Sequence, residues 1–583
     1  MTGGRLDRRP LDGEEHLAVD GRVSLDGTAA RALHVGRARL VLMGALFALA
    51  YVVVGVRLVD VSLFNDGFEP RIAQAADPRS TPFGRRAIVD RNGVLLATNL
   101  PTASLHADPT KVPDPRATAA ALARVLPGLD RATIAARLAS GRRFVWIKRI
   151  LTPRQQLAVN RLGLPGLAFQ QEQRRVYPLG RLTGHVVGFV DIDNSGIAGI
   201  EKTFDAALRS ATPVSDGPIR LSIDSRVQYL VRDELAAAMR EFRAIGAAGL
   251  VLDANDGEVL AMVSLPDFDP NASDADPAAR FNRATLGTYE MGSTFKVFTT
   301  AMALDAGVVT LRDGYDASKP LHVARFIIRD YSPEKRWLSV PEILIYSSNI
   351  GAAKMALDVG AVRQRDYLAR FGLLRRAAIE LPEVAQPLLP SPWREINTMT
   401  IGFGHGIAVS PLQLTAGVAA VVNGGIFNPP TLIARESDLD AGGARVISAR
   451  TSARMRRLME RVVAEGTGRK AAVAGYLIGG KTGTADKPGR GGYQRRAIIS
   501  SFVAAFPIAA PRYVVFAMLD EPKGTKKTYN FATGGWTAAP LVGRIIARLG
   551  PMMGLPPERA PAPAEPGGRV IAAALKGGGG VAF

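Results

Sequence analysis

The sequence predicts an α+β protein that has a transmembrane helix near its N-terminus, a mixed α+β pedestal and a larger C-terminal domain. Three observations lead to this prediction. One long apolar segment precedes residue 60, short strand-like and helical patterns mix up to about residue 215, and strand-like runs then flank a long helical stretch. Strands that are separated from helices along the chain are typical of α+β domains with an antiparallel sheet.

The apolar segment is predicted to be a transmembrane helix at 40–58. It contains 17 consecutive uncharged residues from Leu40 to Val56, which is the lower limit for a helix that spans a bilayer. Arginines just before it favour a cytoplasmic N-terminus, so 1–39 is expected to be a disordered cytoplasmic tail. A cleaved signal peptide and a buried core helix are the alternatives, and the 39 preceding residues disfavour the first.

Residues 59–215 are predicted to form the pedestal. The segment AIVDRNGVLLAT has two strand-like halves around a turn at Asp90–Gly93, and ATAAALARVL has helical spacing. We recognise no second catalytic motif in this region, so a fused glycosyltransferase is not expected.

Residues 216–550 are predicted to form one domain around a five-stranded antiparallel sheet that helices cover. It opens with a strand-like run, IRLSID, followed by a helical pattern from Ser225 to Phe242. Two apolar runs then flank Asn255-Asp256-Gly257, the residue types that a tight hairpin requires. The predicted order is therefore strand, helix, hairpin.

The same sheet is expected to be completed near the end of the domain. YLIGGKTGTA, AIISSFVAAF and RYVVFAMLDE are three strand-like runs between polar turns, and APLVGRIIARL returns to helical spacing. Helical patterns dominate 282–475, which predicts a large helical insertion. The Pro- and Gly-rich residues 551–583 are expected to be a disordered tail.

Composition excludes several kinds of chemistry. The 583 residues include no cysteine, which rules out disulfides, thiolate metal sites and a cysteine nucleophile. The six histidines are scattered without metal-ligand spacing, so we expect neither a metal nor a cofactor. The net charge is +20, but the basic residues are spread along the whole chain, so nucleic acid is not an expected partner.

A candidate nucleophile lies at Ser293-Thr-Phe-Lys296, at the start of an apolar helical pattern. Side chains three apart share one face of a helix, so the serine hydroxyl and the lysine amine can meet. Lysine can act as the base that serine needs if burial and a neighbouring cation lower its pKa from about 10.4. The backbone N–H of Ser293 is also a candidate oxyanion donor.

Two further motifs follow in order. In Ser347-Ser-Asn349, Ser347 can relay a proton to a leaving amine, while Asn349 can hold Lys296 and donate to a substrate amide. In Lys481-Thr482-Gly483-Thr484, the lysine supplies positive charge that depresses the pKa of Lys296.

The remaining residues of the third motif are candidate substrate-binding groups. The Thr482 and Thr484 hydroxyls can bind a substrate carboxylate, and Gly483 leaves room for an extended peptide. The backbone N–H of Thr484 is the second expected oxyanion donor, beside that of Ser293.

Each motif alone is more often structural. Ser-x-x-Lys recurs at Ser332-Pro-Glu-Lys335 without an apolar helix, Ser-Ser-Asn commonly caps a helix, and Lys-Thr-Gly-Thr can end a strand. Gly402–Gly406 lacks the dinucleotide-binding pattern and is expected to be a turn beside the site. The three motifs in this order, in an exported chain without cysteine, favour a catalytic serine.

With these motifs the sequence resembles the class B penicillin-binding proteins, and more narrowly those of the FtsI type. The resemblance covers about residues 40–548. Outside the three motifs it includes the following segments: Arg86 with AIVDRNGVLLA, Arg175-Val-Tyr-Pro178, 184–205, 402–414 and 532–540.

The resemblance implies an elongated pedestal of the dimerisation type and a peptidoglycan D,D-transpeptidase that β-lactams inhibit. Ser293 would attack the penultimate D-Ala of a stem peptide on glycan derived from a lipid-linked precursor. The enzyme would sit in the bacterial inner membrane as a single-pass protein, with its catalytic domain in the periplasm and enriched at the division site. An FtsW-type glycosyltransferase and other divisome proteins would be its partners.

Several rival functions stay open. A serine β-lactamase shares the acylation chemistry but needs a base that activates water for deacylation. The elongation-specific relative shares all three motifs. A membrane β-lactam sensor or a non-enzymatic divisome scaffold is the remaining alternative, although a 39-residue tail is too short for a sensor's output domain.

Overall fold

The computed structural model describes residues 41–55, 85–209, 217–272, 276–323, 326–435, 442–489 and 492–557. The chain forms two compact units, Met1–Thr81 and Pro82–Phe583. In the first unit, residues 41–55 form helix α1, whose side chains are mostly exposed. Within the described residues, no helix is both long and apolar enough to cross a membrane. The predicted tail 1–39 and the remaining residues of the predicted span lie outside the described residues.

The pedestal is a sheet with helices packed against it, in agreement with the mixed α+β prediction. Its strands are β1 (Ile88–Val89), β2 (Leu95–Ala107), β3 (Val145–Leu151), β4 (Leu167–Val176) and β5 (Ile219–Arg220). Their order is β3-β2-β1-β5, and β4 also pairs with β2. The helices are α2 (Pro115–Val125), α3 (Arg131–Leu138), α4 (Pro153–Asn160), α5 (Gly184–Val187), α6 (Gly199–Thr203) and α7 (Asp205–Arg209).

Local sequence signals set the starts of the pedestal helices. Asp114 caps α2 and Asp130 caps α3, in each case by accepting a hydrogen bond from a backbone N–H of the first turn. Thr152 and Gln155 form a reciprocal capping box at α4. Such caps contribute about 1 kcal/mol each.

The predicted order of strand, helix and hairpin after residue 216 is present, but the strand in IRLSID does not join the sheet of the larger domain. Only Ile219–Arg220 of this run is a strand, and it pairs in parallel with β1 of the pedestal sheet. Leu221 and Ile223 are fully buried. The alternation of apolar residues in this run therefore arises because their side chains are buried, and not because the run is a strand of the larger sheet. The predicted domain boundary at 215/216 falls in 210–216, outside the described residues.

The larger domain contains the predicted five-stranded antiparallel sheet. The strands of this domain in chain order are β6 (Gly246–Asp253), β7 (Val259–Leu265), β8 (Gly314–Asp316), β9 (Leu321–Val323), β10 (Phe326–Ile328), β11 (Trp337–Ser339), β12 (Ile426–Phe427), β13 (Ala444–Arg445), β14 (Gly479–Gly489), β15 (Gly492–Phe506) and β16 (Tyr513–Asp520). The main sheet has the order β14-β15-β16-β6-β7, with β14 at one edge, and the other strands form small pairs. The hairpin between β6 and β7 turns at Asn255-Asp256-Gly257, as predicted.

Helices cover both faces of this sheet. The helices of the larger domain are α8 (Ser225–Glu241), α9 (Lys296–Asp305), α10 (Val340–Ile345), α11 (Asn349–Val359), α12 (Ala361–Arg370), α13 (Glu395–Ile401), α14 (Pro411–Val422), α15 (Ala449–Ala464) and α16 (Ala538–Met552). Helices α8 and α16 pack on one face, and α14 and α15 pack on the other. Every residue of β6, β7 and β16 is buried as a result.

The predicted helical insertion is present, because α9 to α15 lie between β7 and β14. The end of the domain differs from the prediction by a few residues. Helix α16 continues through Pro551 to Met552, since proline in the last turn removes a single backbone donor. Residues 558–583 of the predicted tail lie outside the described residues.

Candidate active site

Ser293 lies in a 3-10 turn, Gly292–Phe295, that leads directly into α9. The backbone enters this turn through Gly292, which has a φ of +53°. A Cβ atom at Gly292 would stand 2.5 Å from the carbonyl oxygen of Thr484. Glycine therefore lets the turn pack against the edge strand β14. Ser293 itself stays partly exposed, so a substrate can reach its hydroxyl.

Lys296 is the first residue of a helix that is buried on all sides. The residues of α9 from Lys296 to Leu304 are all buried, because α10, α11, α14 and α15 surround the helix. Lysine at this position is consequently 0% exposed. The Lys296 amine therefore lies next to the Ser293 hydroxyl at the start of a buried apolar helix, without contact with bulk water.

The hydrogen bonds of Lys296 orient its amine toward Ser293. Nζ lies 2.8 Å from Ser293 Oγ, 2.8 Å from the backbone oxygen of Ser347 and 2.6 Å from Asn349 Oδ1. Carbonyl oxygens can only accept hydrogen bonds. A neutral amine therefore directs both protons to these two oxygens, and its lone pair faces the serine hydroxyl.

Lys481 approaches the same point from β14. Its Nζ lies 2.9 Å from Ser347 Oγ, 3.2 Å from the Thr482 backbone oxygen and 3.3 Å from Thr482 Oγ1. Three acceptors match the three donors of an ammonium group. Ser347 Oγ also lies 3.1 Å from Lys296 Nζ, so this hydroxyl bridges the two lysines.

Burial lowers the pKa of both lysines, and the charge of Lys481 lowers only that of Lys296 further. Burial lowers the pKa of Lys296 well below its usual value, and the charge of Lys481 lowers it further, while Asp330 opposes the change. Burial alone lowers the pKa of Lys481 to about 7. Lys296 is therefore the first of the pair to lose its proton, and Lys481 is the residual ammonium.

Ser347 adopts a strained backbone conformation. Its φ is +63°, in the left-handed region that costs a residue other than glycine about 1–3 kcal/mol. This conformation presents both its backbone oxygen and its hydroxyl to Lys296. Ser348, the next residue, is the N-cap of α11, so the turn is anchored to the start of a buried helix.

The last three residues of the Lys481 motif continue along the edge strand. Thr482 Oγ1 is 2.9 Å from Thr467 Oγ1, and Thr484 Oγ1 accepts a hydrogen bond from the Gly534 backbone N–H at 3.0 Å. The Thr484 hydroxyl accepts this bond and keeps its proton to donate to an anion, whereas the Thr482 hydroxyl keeps its proton only where Thr467 is the donor of their shared hydrogen bond. At Gly483 a Cβ would stand 2.7 Å from the Met291 backbone oxygen, so glycine lets β14 pack against the Ser293 turn, and its role beside an extended peptide stays a prediction.

The structure thus brings all the predicted site residues together. The sequence matches the family described as "Penicillin binding protein transpeptidase domain" over residues 247–547 and that described as "Penicillin-binding Protein dimerisation domain" over residues 80–215. The chain belongs to the class B penicillin-binding proteins. The resemblance seen in the sequence is therefore confirmed.

Individual members of the family are similar along most of the chain. The "Probable peptidoglycan D,D-transpeptidase FtsI" of Caulobacter vibrioides is 40% identical, over 90% of each chain. The "Peptidoglycan D,D-transpeptidase FtsI" of Escherichia coli K12 is 31% identical, over 81% of this chain and 84% of that one. A crystal structure of penicillin binding protein 3 from Mycobacterium tuberculosis, complexed with aztreonam, matches with a TM-score of 0.63 at 25% identity, over 82% of this chain and 98% of that chain.

The structure adds residues to the site that the sequence motifs did not indicate. Asp330 accepts hydrogen bonds from the segment that follows Ser347. His405 packs on the ring of Tyr493, and burial, together with the charge of Lys296, lowers the pKa of His405 to about 4. Glu290 accepts hydrogen bonds from the Tyr493 hydroxyl and from a backbone N–H of the 402–406 turn.

The glycine-rich turn and the second Ser-x-x-Lys sequence have the predicted positions. A Cβ at Gly404 would stand 2.1 Å from the Gly292 backbone oxygen, so the 402–406 turn abuts the Ser293 turn. Ser332 is exposed and lies outside any helix. Of the two Ser-x-x-Lys sequences, therefore, only the one at Ser293 leads into a buried helix whose lysine contacts the serine.

Proposed function

We propose that this protein is a peptidoglycan D,D-transpeptidase that cross-links stem peptides at the division septum through an acyl-enzyme on Ser293. The observation that carries the proposal is the contact between Ser293 Oγ and the fully buried amine of Lys296, 2.8 Å away. The named activity of the FtsI relatives supports the choice of substrate.

In the first step, the neutral amine of Lys296 accepts the Ser293 proton, and Oγ forms a bond with the carbonyl carbon of the penultimate D-Ala. The backbone N–H groups of Ser293 and Thr484 are the proposed donors to the resulting oxyanion. The contact between Gly292 and the Thr484 carbonyl supports this pairing, because it holds the two backbone segments side by side.

In the second step, the bond to the terminal D-Ala breaks. Its nitrogen receives the proton from Lys296 through the Ser347 hydroxyl, which lies between the two lysines. D-Ala leaves as a free amino acid. An amine from a neighbouring stem peptide then attacks the ester carbonyl and loses a proton, and Ser293 Oγ regains one.

Substrate recognition is assigned to the Lys481 motif and to Asn349. The Thr482 and Thr484 hydroxyls bind the terminal carboxylate, which the nearby Lys481 charge favours, although Lys481 is itself fully buried. Asn349 holds Lys296 through Oδ1, while its Nδ2 donates to the Arg329 backbone oxygen at 2.9 Å. A substrate amide would have to displace this second hydrogen bond.

The cellular setting is part of the proposal. Residues 40–58 anchor the protein in the bacterial inner membrane as a single span, with 1–39 in the cytoplasm and the catalytic domain in the periplasm at the division site. The 17 uncharged residues of the apolar segment and the preceding arginines support this orientation. An FtsW-type glycosyltransferase and other divisome proteins are the proposed partners, and β-lactams acylate the same serine.

Release of D-Ala tests the proposed reaction. The full-length protein in detergent is incubated with a stem pentapeptide that ends in D-Ala-D-Ala and with an acceptor amine, and free D-Ala and the cross-linked product are measured by mass spectrometry. We expect both products from the wild type and neither from Ser293→Ala, because Ser347, which also contacts the two buried lysines, is assigned to proton relay and not to attack on the carbonyl carbon.

The controls separate the rival functions. Ser332→Ala should match the wild type, since Ser332 is exposed and outside any helix. Rapid hydrolysis of penicillin would identify a β-lactamase instead. Growth of a strain whose sole copy is Ser293→Ala would identify a scaffold, and loss of elongation without a defect in septation would identify the elongation-specific role.

A further inference from the structure

We propose that Asp330 is a positioning residue for acylation, whose carboxylate clamps the Ser347–Asn349 turn onto the two lysines and places a negative charge beside them. The inference rests on the proposed acyl-transfer function. Asp330 lies in the loop that follows β10 and belongs to none of the three motifs.

The clamp consists of three hydrogen bonds. Asp330 Oδ1 accepts from the backbone N–H of Asn349 at 2.6 Å and from that of Ile350 at 3.0 Å, while Oδ2 accepts from Ser348 Oγ at 2.8 Å. The Ser348 hydroxyl accepts in turn from the Gly351 N–H at 3.0 Å. Asp330 therefore satisfies free N–H groups in the first turn of α11, where a negative charge is favourable.

The geometry of Ser347 explains why a clamp is needed. Its φ of +63° is unfavourable for serine and persists only where neighbouring contacts impose it. The clamp holds the residues directly after Ser347. Its loss would let Ser347 relax, and both its backbone oxygen and its hydroxyl would then move away from Lys296.

A second contact from the same loop reinforces the clamp. The backbone oxygen of Arg329 accepts a hydrogen bond from Asn349 Nδ2 at 2.9 Å. This contact fixes the amide so that its other end, Oδ1, faces Lys296 at 2.6 Å. Residues 329 and 330 together therefore determine the position of both carbonyl oxygens that orient the base.

The charge of Asp330 also changes the pKa of Lys296, an effect separate from that of the hydrogen bonds. Three charged or titratable groups face Lys296 from the elements packed around it: Lys481 from β14, His405 from the 402–406 turn and Asp330. Lys481 lowers the pKa of Lys296, and Asp330 raises it. Removal of the Asp330 charge should therefore lower this pKa further, so the neutral base persists to lower pH.

Two substitutions separate position from charge. In Asp330→Asn, the amide oxygen can still accept from Asn349 and Ile350, whereas Asp330→Ala removes the whole clamp. We expect Asp330→Ala to reduce the second-order rate of acylation by a fluorescent penicillin about 100-fold, which is typical of a misplaced catalytic group. We expect Asp330→Asn to lose less, and the acid limb of its rate–pH profile to move to lower pH.

Glu334→Gln is the matched control, because it removes an exposed carboxylate from the same loop that is not among the described hydrogen-bond partners of residues 347–350. The measurement uses the full-length protein in detergent, with thermal melting as a check of folding. The proposal is overturned if Asp330→Asn keeps both the wild-type rate and the wild-type pH profile, even if Asp330→Ala fails to fold. Acylation of the wild type, with no change in either variant, would reject the clamp but leave the proposed function standing; no acylation of the wild type would reject both.

Discussion

Replacement of Lys296 by methionine should reduce acylation of Ser293 by roughly 10²–10⁴-fold, the usual contribution of a positioned general base. Methionine fills the buried space at the start of α9 but has no lone pair of comparable basicity. Without a base 2.8 Å from Oγ, the serine keeps its proton and is a poor nucleophile at neutral pH. The rate is measured with a fluorescent penicillin over a range of protein concentrations.

The fold should survive this change, since exchange of a buried lysine for an apolar side chain of similar volume is often tolerated. Lys354→Met is the matched control, because this lysine lies on α11 and its Nζ donates to the Asp316 backbone oxygen at 2.7 Å, away from Ser293. It should acylate at the wild-type rate. An active Lys296→Met protein would show that another group is the base.

Replacement of Lys481 by methionine should shift the acid limb of the acylation profile to higher pH. The positive charge of Lys481 lowers the pKa of Lys296, so its removal raises that pKa and less neutral base is present at pH 7. Burial still keeps the pKa of Lys296 below its ordinary value. The variant should therefore be slow at neutral pH and regain part of its rate under alkaline conditions.

Lys487→Met provides the comparison on the same strand. Lys487 forms ion pairs with Asp520 and Glu521 at 2.8 and 2.9 Å, so its loss should leave the pH profile unchanged. Rate–pH profiles of the three proteins are recorded at constant ionic strength. A Lys481→Met profile that is lower at every pH but not displaced would mean that Lys481 acts on the substrate alone and not on Lys296.

Short motifs were sufficient to predict which residues meet at the candidate site, because each motif carries its chemistry in a few neighbouring positions. The spacing of Ser293 and Lys296 placed them on one face, and the two runs of the hairpin, with the three later strand-like runs, predicted the sheet that aligns β14 with the Ser293 turn. The number of residues between the motifs carries no information on how the motifs meet in the fold. Their order and their chemistry predicted a shared site, and the structure brings the motifs within hydrogen-bond distance of one another.

Other features could not be read from the sequence. Asp330 is an ordinary loop aspartate until the fold places it at the start of α11. The IRLSID run has the alternation of a strand in the main sheet, but only its pairing partner decides the sheet to which it belongs. Pro551 signals the end of a helix, yet the last turn of α16 accommodates it.

The central claim is that Ser293 is the nucleophile, and intact-protein mass spectrometry tests it most directly. The full-length protein in detergent is incubated with a fluorescent penicillin, alongside Ser293→Ala and Ser332→Ala. We predict one long-lived adduct on the wild type and on Ser332→Ala, and none on Ser293→Ala. An adduct that persists in Ser293→Ala, or its absence from a folded wild-type protein, would contradict the account.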